Sequence, residues 1–212
     1  TQKIITQGGE AEPVDADLFS EDGINELRNT VSSIDILINN YGVPSGSSWA
    51  SSEKWSDEWE RNVLVGVNVT QAFLHGMKEN NWGRIIFVGT VGVNKPSTHS
   101  PGYYGAKASL HAIVRTLAKE VNGTGITANV INPGMIATKE VRDMLTRAAE
   151  KRNLDTDWES VHKWAAEKYM PNLTGRLPDP NDIGRIISFL VSEPAWYING
   201  ASIAVDGGSV DA

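Results

Sequence analysis

Ile34-Asp35-Ile36-Leu37-Ile38-Asn39-Asn40-Tyr41-Gly42 is the stretch on which the fold turns. Its β-branched, near-continuous apolar start predicts a buried strand, and Asn-Asn-Tyr-Gly stops it as a turn. Three further runs read the same way. Arg84 to Val88 spells Arg-Ile-Ile-Phe-Val and is entered through Gly83. Ile126 to Ile131 ends at Asn132-Pro133-Gly134, and Ala201 to Val205 is closed by Asp206-Gly207-Gly208. Strands this apolar belong to a parallel sheet covered on both faces.

Helical periodicity fills the gaps between these runs. Ser56, followed by Asp57 and Glu58, predicts a helix start, and that helix would run to about Asn80. Leu110, Ile113, Val114, Leu117, Ala118 and Val121 form an i, i+3, i+4, i+7 stripe that stops at Asn122-Gly123. Asn181-Asp182 is read as the cap of a third helix, with Ile183, Ile186, Ile187 and Leu190 facing inward. Strands alternating with helices predict an α/β fold, a doubly wound parallel sheet.

Residues 139–174 break this rhythm with two amphipathic helices, about Lys139–Arg152 and Asp157–Tyr169. Trp158, Trp164, Tyr169 and Met170 lie there. They serve either to pack the insert onto the body or to form a lid over an apolar substrate.

Composition narrows the function. The chain has 212 residues, 40% hydrophobic and 21% charged, which fits one soluble domain, here taken as 1–212 with a helical lid at 139–174. A formal charge of −7 argues against nucleic acid as a partner. No apolar run approaches a membrane span, so no membrane partner is expected, and a cytoplasmic setting is. There is no cysteine, and the four histidines form no metal-binding pattern, so no metal is expected.

Tyr103 and Lys107 stand four residues apart at the start of the Leu110 helix, on one helical face. A free tyrosine titrates near about 10. A neighbouring ammonium would favour the phenolate, which makes the pair an acid/base device for an alcohol or ketone. Alone, Tyr-x-x-x-Lys is a weak signal. Around it, Thr90 follows the Arg84–Val88 strand, Asn62 lies in the preceding helix, Asn39-Asn40-Tyr41-Gly42 ends the strand before that, and Pro133-Gly134-Met135-Ile136-Ala137-Thr138 follows the next strand. All fall at or beside the carboxyl edge of the sheet, where doubly wound folds bind ligands.

In order and spacing these marks resemble the short-chain dehydrogenase/reductase family. They are joined by Asp17-Leu18 after a strand, Gly83-Arg84-Ile85-Ile86 and Asp206-Gly207-Gly208. Gly175-Arg176-Leu177 and the Val205-Asp206-Gly207-Gly208 ending suggest similarity to its 3-oxoacyl-carrier-protein reductase-like members. The resemblance covers nearly the whole chain and implies a Rossmann-like oxidoreductase. It would transfer a hydride between NAD or NADP and a secondary alcohol or its ketone.

The resemblance also implies roles. Tyr103 is the acid or base, with its pKa lowered by Lys107, which also holds the nicotinamide ribose. Thr90 hydrogen-bonds the substrate oxygen, and Asn62 holds a water in a proton relay to Lys107. Asn39, Asn40 and Gly42 line the adenosine side, with Asp17 and Leu18 near the adenine. Pro133, Gly134, Ile136 and Thr138 fix the nicotinamide ring. A homodimer or homotetramer packed through the 56–80 and 103–121 helices is implied as well.

This chain departs from the family pattern. Thr90 stands where serine is usual and Tyr41 where alanine is usual. The opening strand, glycine-rich phosphate loop and helix are missing. Thr1–Gly9 reads as the tail of a helix, leading into a strand at 11–17 that ends at Asp17. The natural protein is therefore expected to carry an amino-terminal segment beyond these residues. The alternative is a non-catalytic binding or oligomer-forming subunit with the same fold.

Overall fold

In the computed structural model, which describes residues 1–209, four strands form one parallel sheet. They are β1 (Ile36–Asn39), β2 (Gly83–Val88), β3 (Ile126–Pro133) and β4 (Ser202–Val205), adjacent in that order. Leu37 lies beside Ile85, Phe87 beside Val130, and Ile131 beside Ile203. β3 ends at Pro133, which has no N–H to give; the next residue resumes the ladder, Gly134 N–H donating to Val205 O at 3.0 Å.

The helices are α1 (Gln2–Thr6), α2 (Glu21–Thr30), α3 (Glu53–Trp59), α4 (Val65–Glu79), α5 (Pro101–Glu120), α6 (Lys139–Glu150), α7 (Trp158–Trp164) and α8 (Pro180–Leu190). Side chains alternate across the strands, so each face has its own core. Ile85, Phe87, Ala128 and Val130 pack with Met77 of α4 and with Ala106, Leu110 and Val114 of α5. Ile86 and Ile131 point the other way, onto Ile183 and Leu190 of α8. Each such fully buried aliphatic chain contributes about 1.5–3 kcal/mol. The fold is therefore doubly wound, as the alternation of runs predicts.

Three expectations are corrected. Residues 11–17 form no strand. A strand needs a ladder, and among the described residues the outer edge of β1 pairs with nothing, leaving Ile36 43% exposed. Ser56 is not a cap: the helix begins at Glu53, and Ser56 lies inside α3. A π-turn over Glu60–Leu64 then carries the chain into α4. The cap of α8 is Asp179, whose Oδ1 accepts from Asn181 N–H at 2.7 Å and Asp182 N–H at 3.1 Å. Asp182 Oδ2 accepts Asp179 N–H at 3.0 Å in return, a capping box with Pro180 in the first turn.

The 139–174 segment has a small core of its own, in which Leu145 and Ala149 of α6 meet Val161 of α7 and Ala165 and Ala166 of a second π-turn (Ala165–Tyr169). Trp158 stacks on His162 under Arg142, and Trp164 lies against Tyr169 near Arg152. Both tryptophans thus pack within the segment.

Candidate active site

Two cavities flank the first turns of α5. The smaller, about 110 Å³, is lined by Leu18, Asn39, Asn40, Asn62 and Lys107 among others. The larger, about 360 Å³, is lined by Thr90, Tyr103, Gly134, Met170 and Leu177 among others. One i, i+4 pair therefore faces two spaces: Tyr103 opens to the larger and Lys107 to the smaller.

Local rules place each side chain. Thr90 follows β2, and its Oγ1 accepts from Gly92 N–H at 3.1 Å, capping a short 3₁₀ turn. A hydroxyl that accepts there keeps its hydrogen to donate elsewhere. Pro101 opens α5 and puts Tyr103 and Lys107 in its first two turns. Lys107 is buried, and its Nζ donates to Val88 O, at the end of β2, at 2.8 Å. Burial in low dielectric pulls its pKa down to about 8. Asn62 sits in the π-turn, a helix irregularity common at functional sites.

The Tyr103 hydroxyl is pushed up, not down. Burial is the largest cause, followed by the neighbouring Tyr104 and then Glu58. The expectation of a lowered Tyr103 is corrected here: burial, Tyr104 and Glu58 all favour the protonated phenol.

Other expected residues are placed as follows. Asn39 Nδ2 donates to Thr70 Oγ1 at 3.0 Å, on the wall of the smaller cavity. Gly42 has φ +142°, and a Cβ there would fall 2.6 Å from Asn62 Oδ1 and 2.7 Å from Lys107 Nζ. Only a glycine lets both groups approach. Asp17, Pro133, Ile136 and Thr138 line neither cavity. Asp17 Oδ1 accepts from Phe19 N–H at 3.0 Å, Ile136 packs with the Ile86 and Ile131 core, and Thr138 Oγ1 caps α6 by accepting from Val141 N–H at 3.3 Å. Residues not singled out in the sequence also line the larger cavity, among them Tyr104, Val91 and Pro178. Only Tyr104, adjacent to Tyr103, carried a local signal.

The residues present fit the ribose–nicotinamide half of a dinucleotide. Asn62 Oδ1 is buried without a hydrogen-bond partner, beside a lysine and a glycine cradle. At Gly134, a Cβ would lie 3.1 Å from Asp206 Cα, so the backbone itself forms that wall. The described residues offer no glycine-rich helix start for a pyrophosphate. α2 opens with Glu21 and Asp22, whose charge repels one.

A family model described as enoyl-(acyl carrier protein) reductase matches residues 1–210. The uncharacterized oxidoreductase YvaG of Bacillus subtilis is 34% identical over 212 residues, covering 98% of this chain and 80% of that protein. The 3-oxoacyl-(acyl-carrier-protein) reductase FabG of Haemophilus influenzae is 33% identical over 190 residues, 87% of this chain and 71% of that one. Among solved structures, L-sorbose reductase from Gluconobacter frateurii, complexed with NADPH and L-sorbose, superposes with a TM-score of 0.84 at 28% identity. That match covers 98% of this chain and 80% of the other.

Proposed function

Because the chain belongs to the short-chain dehydrogenase/reductase family, we propose that the carboxyl edge of its sheet is an active site in which Tyr103 moves the substrate proton. The enzyme is an oxidoreductase that transfers a hydride between NAD(P) and a secondary alcohol or its ketone. The nicotinamide ring, when bound, gives or takes the hydride.

The observation that supports the reading is that Thr90 and Tyr103 line one cavity, with Thr90 Oγ1 accepting from Gly92 N–H. In reduction Thr90 donates to the carbonyl oxygen and polarises it. Tyr103, kept protonated by its burial, gives its proton to that oxygen as charge develops. Lys107 stabilises the resulting phenolate and holds the ribose, and Asn62 offers Oδ1 toward a proton relay. Met135, Met170 and Leu177 shed water from the reacting carbon. Asn39, Asn40, Gly42 and Leu18 are assigned to the adenosine side, and Pro133 and Gly134 to the nicotinamide side. Asp17 is assigned to the adenine side with Leu18, and Ile136 and Thr138 to the nicotinamide side with Pro133 and Gly134. Segment 139–174 is its wall and lid.

A non-catalytic subunit would have no use for a buried lysine beside an unpaired amide oxygen. The proposed assembly is a homodimer or homotetramer, its contact the groove between α4 and α5 lined by Val67, Leu74, Ile113 and Leu117. The proposed location is the cytoplasm. No helix among the described residues is long and apolar enough to cross a membrane.

The test is NAD(P)H absorbance over a panel of ketones, for the parent and Tyr103→Phe. The variant should lose roughly 10²–10⁴-fold in turnover. A variant within about threefold of the parent removes Tyr103 from the chemistry.

A further inference from the structure

Glu58 has no exposed surface, precedes Asn62 by one helical turn and lines neither cavity. A buried acid is costly unless its oxygens are hydrogen-bonded. Every side-chain partner of Glu58 is a donor. Oε1 accepts from Ser45 N–H at 2.9 Å, from Ser47 N–H at 3.4 Å and from Ser47 Oγ–H at 3.2 Å. Oε2 accepts from Asn62 Nδ2–H at 3.1 Å. Acceptance on all sides is what an ionised carboxylate satisfies.

That last bond orients the Asn62 amide. Nδ2 also donates to Glu58 O at 3.0 Å and to Val43 O at 3.2 Å, so the nitrogen side is surrounded by acceptors. Oδ1 is then the atom left facing the space that Lys107 Nζ also borders. A flipped amide would put an oxygen against three oxygens and an N–H₂ against an ammonium. The Glu58 carboxylate, with the backbone oxygens of Val43 and Glu58, thus sets which end of Asn62 the lysine meets.

A second connection reaches the tyrosine. Ser47 Oγ, which donates to Glu58, accepts from Gly102 N–H at 2.9 Å. Gly102 directly precedes Tyr103 at the start of α5. The fit is tight: a Cβ at Gly102 would fall 2.9 Å from Ser47 Oγ and 3.2 Å from Glu58 Cγ.

We propose that Glu58 is a positioning residue of the hydride-transfer site: through Asn62 it holds an acceptor toward Lys107, and through Ser47 it sets the helical turn that carries Tyr103. The proposal rests on the catalytic reading above and adds a residue that touches neither substrate nor cofactor. Its charge also bears on Tyr103, which it helps to raise along with burial and Tyr104. Lys107 on the same helix, and Lys95 and Asp206 on the wall of the larger cavity, are the other charged groups near that hydroxyl.

The experiment compares the parent, Tyr103→Phe and Glu58→Gln in steady-state ketone reduction across pH. Glutamine keeps the volume but turns an N–H₂ toward donors on one side or the other. We expect kcat to fall about tenfold or more with KM within about twofold. The Tyr103 limb of the pH profile should move to lower pH. An active parent, an inactive Tyr103→Phe, and a folded Glu58→Gln with parental kcat and pH profile overturn the role of Glu58 alone. A parent without NAD(P)H-dependent turnover, or an active Tyr103→Phe, takes down the catalytic reading and this role with it. If Glu58→Gln does not fold, Ser47→Ala, which removes a donor to Glu58 and the acceptor of Gly102 N–H, decides the point: a fall in kcat with KM unchanged supports the role of Glu58, and parental kcat and pH profile overturn it.

Discussion

Lys107 Nζ donates to the carbonyl oxygen of Val88 at 2.8 Å, so the cation of the Tyr103–Lys107 pair is tethered to the end of a central strand. The tether holds the buried Lys107 in one place. Burial of its charge makes the lysine an energetic liability.

That liability sets a pH-dependent stability. The Lys107 pKa falls from 10.5 unfolded to about 8 folded, so burying its charge costs stability below about 8, and the cost fades as pH rises toward 10.5. Lys107→Met should therefore be more stable than the parent at neutral pH, by on the order of 1–3 kcal/mol. The margin should shrink at high pH. Urea unfolding of both proteins at neutral and alkaline pH measures it, and a margin that grows with pH would show that the lysine is not buried charged.

The same two groups shape the rate. kcat/KM reports groups of the free enzyme. For ketone reduction it should step down first near the Lys107 value of about 8, when the ammonium that stabilises the phenolate is lost. It should fall again only above the ordinary tyrosine range, because Tyr103 is raised. Lys107→Met should lack the first step.

Thr90→Ser should keep activity and Thr90→Val should not. Serine retains a hydroxyl that can accept from Gly92 N–H and still donate; valine keeps the shape and loses both. Loss of a donor at the reacting oxygen is worth roughly 2.7–4 kcal/mol. Equal kcat for threonine and valine would make Thr90 a packing residue.

Gly42→Ala should lower both stability and kcat. The backbone sits at φ +142°, and the new Cβ would fall 2.6 Å from Asn62 Oδ1 and 2.7 Å from Lys107 Nζ. Backbone strain of this kind costs about 1–3 kcal/mol. Thermal unfolding together with kinetics tests it; an unchanged midpoint and unchanged kcat would mean the approach can relax freely.

Met170→Ala should raise substrate KM more than it lowers kcat, since Met170 lines the larger cavity with an apolar side chain that can move no proton. An apolar contact of this kind is worth about 1–3 kcal/mol. A fall in kcat with unchanged KM would point instead to a lid whose closing limits the reaction.

Much of this was legible in the chain itself. Apolar runs of four to eight residues punctuated by Gly, Asn and Pro are local signals, and they gave β1 to β4 and the stripe of α5 because burial on two faces leaves its mark in composition. Tyr103 and Lys107 were legible because i, i+4 spacing on a helix is geometry the backbone guarantees. What depends on a partner distant in sequence was not legible. Residues 11–17 have strand-like character but no ladder among the described residues to join. Glu58 reads as a surface acid near a helix start; only the arrival of Ser45 and Ser47 from the preceding loop makes it a buried acceptor. The direction of the Tyr103 shift was decided the same way. Sequence pairs it with Lys107, but tertiary structure buries it and brings Glu58 near, and desolvation disfavours the phenolate.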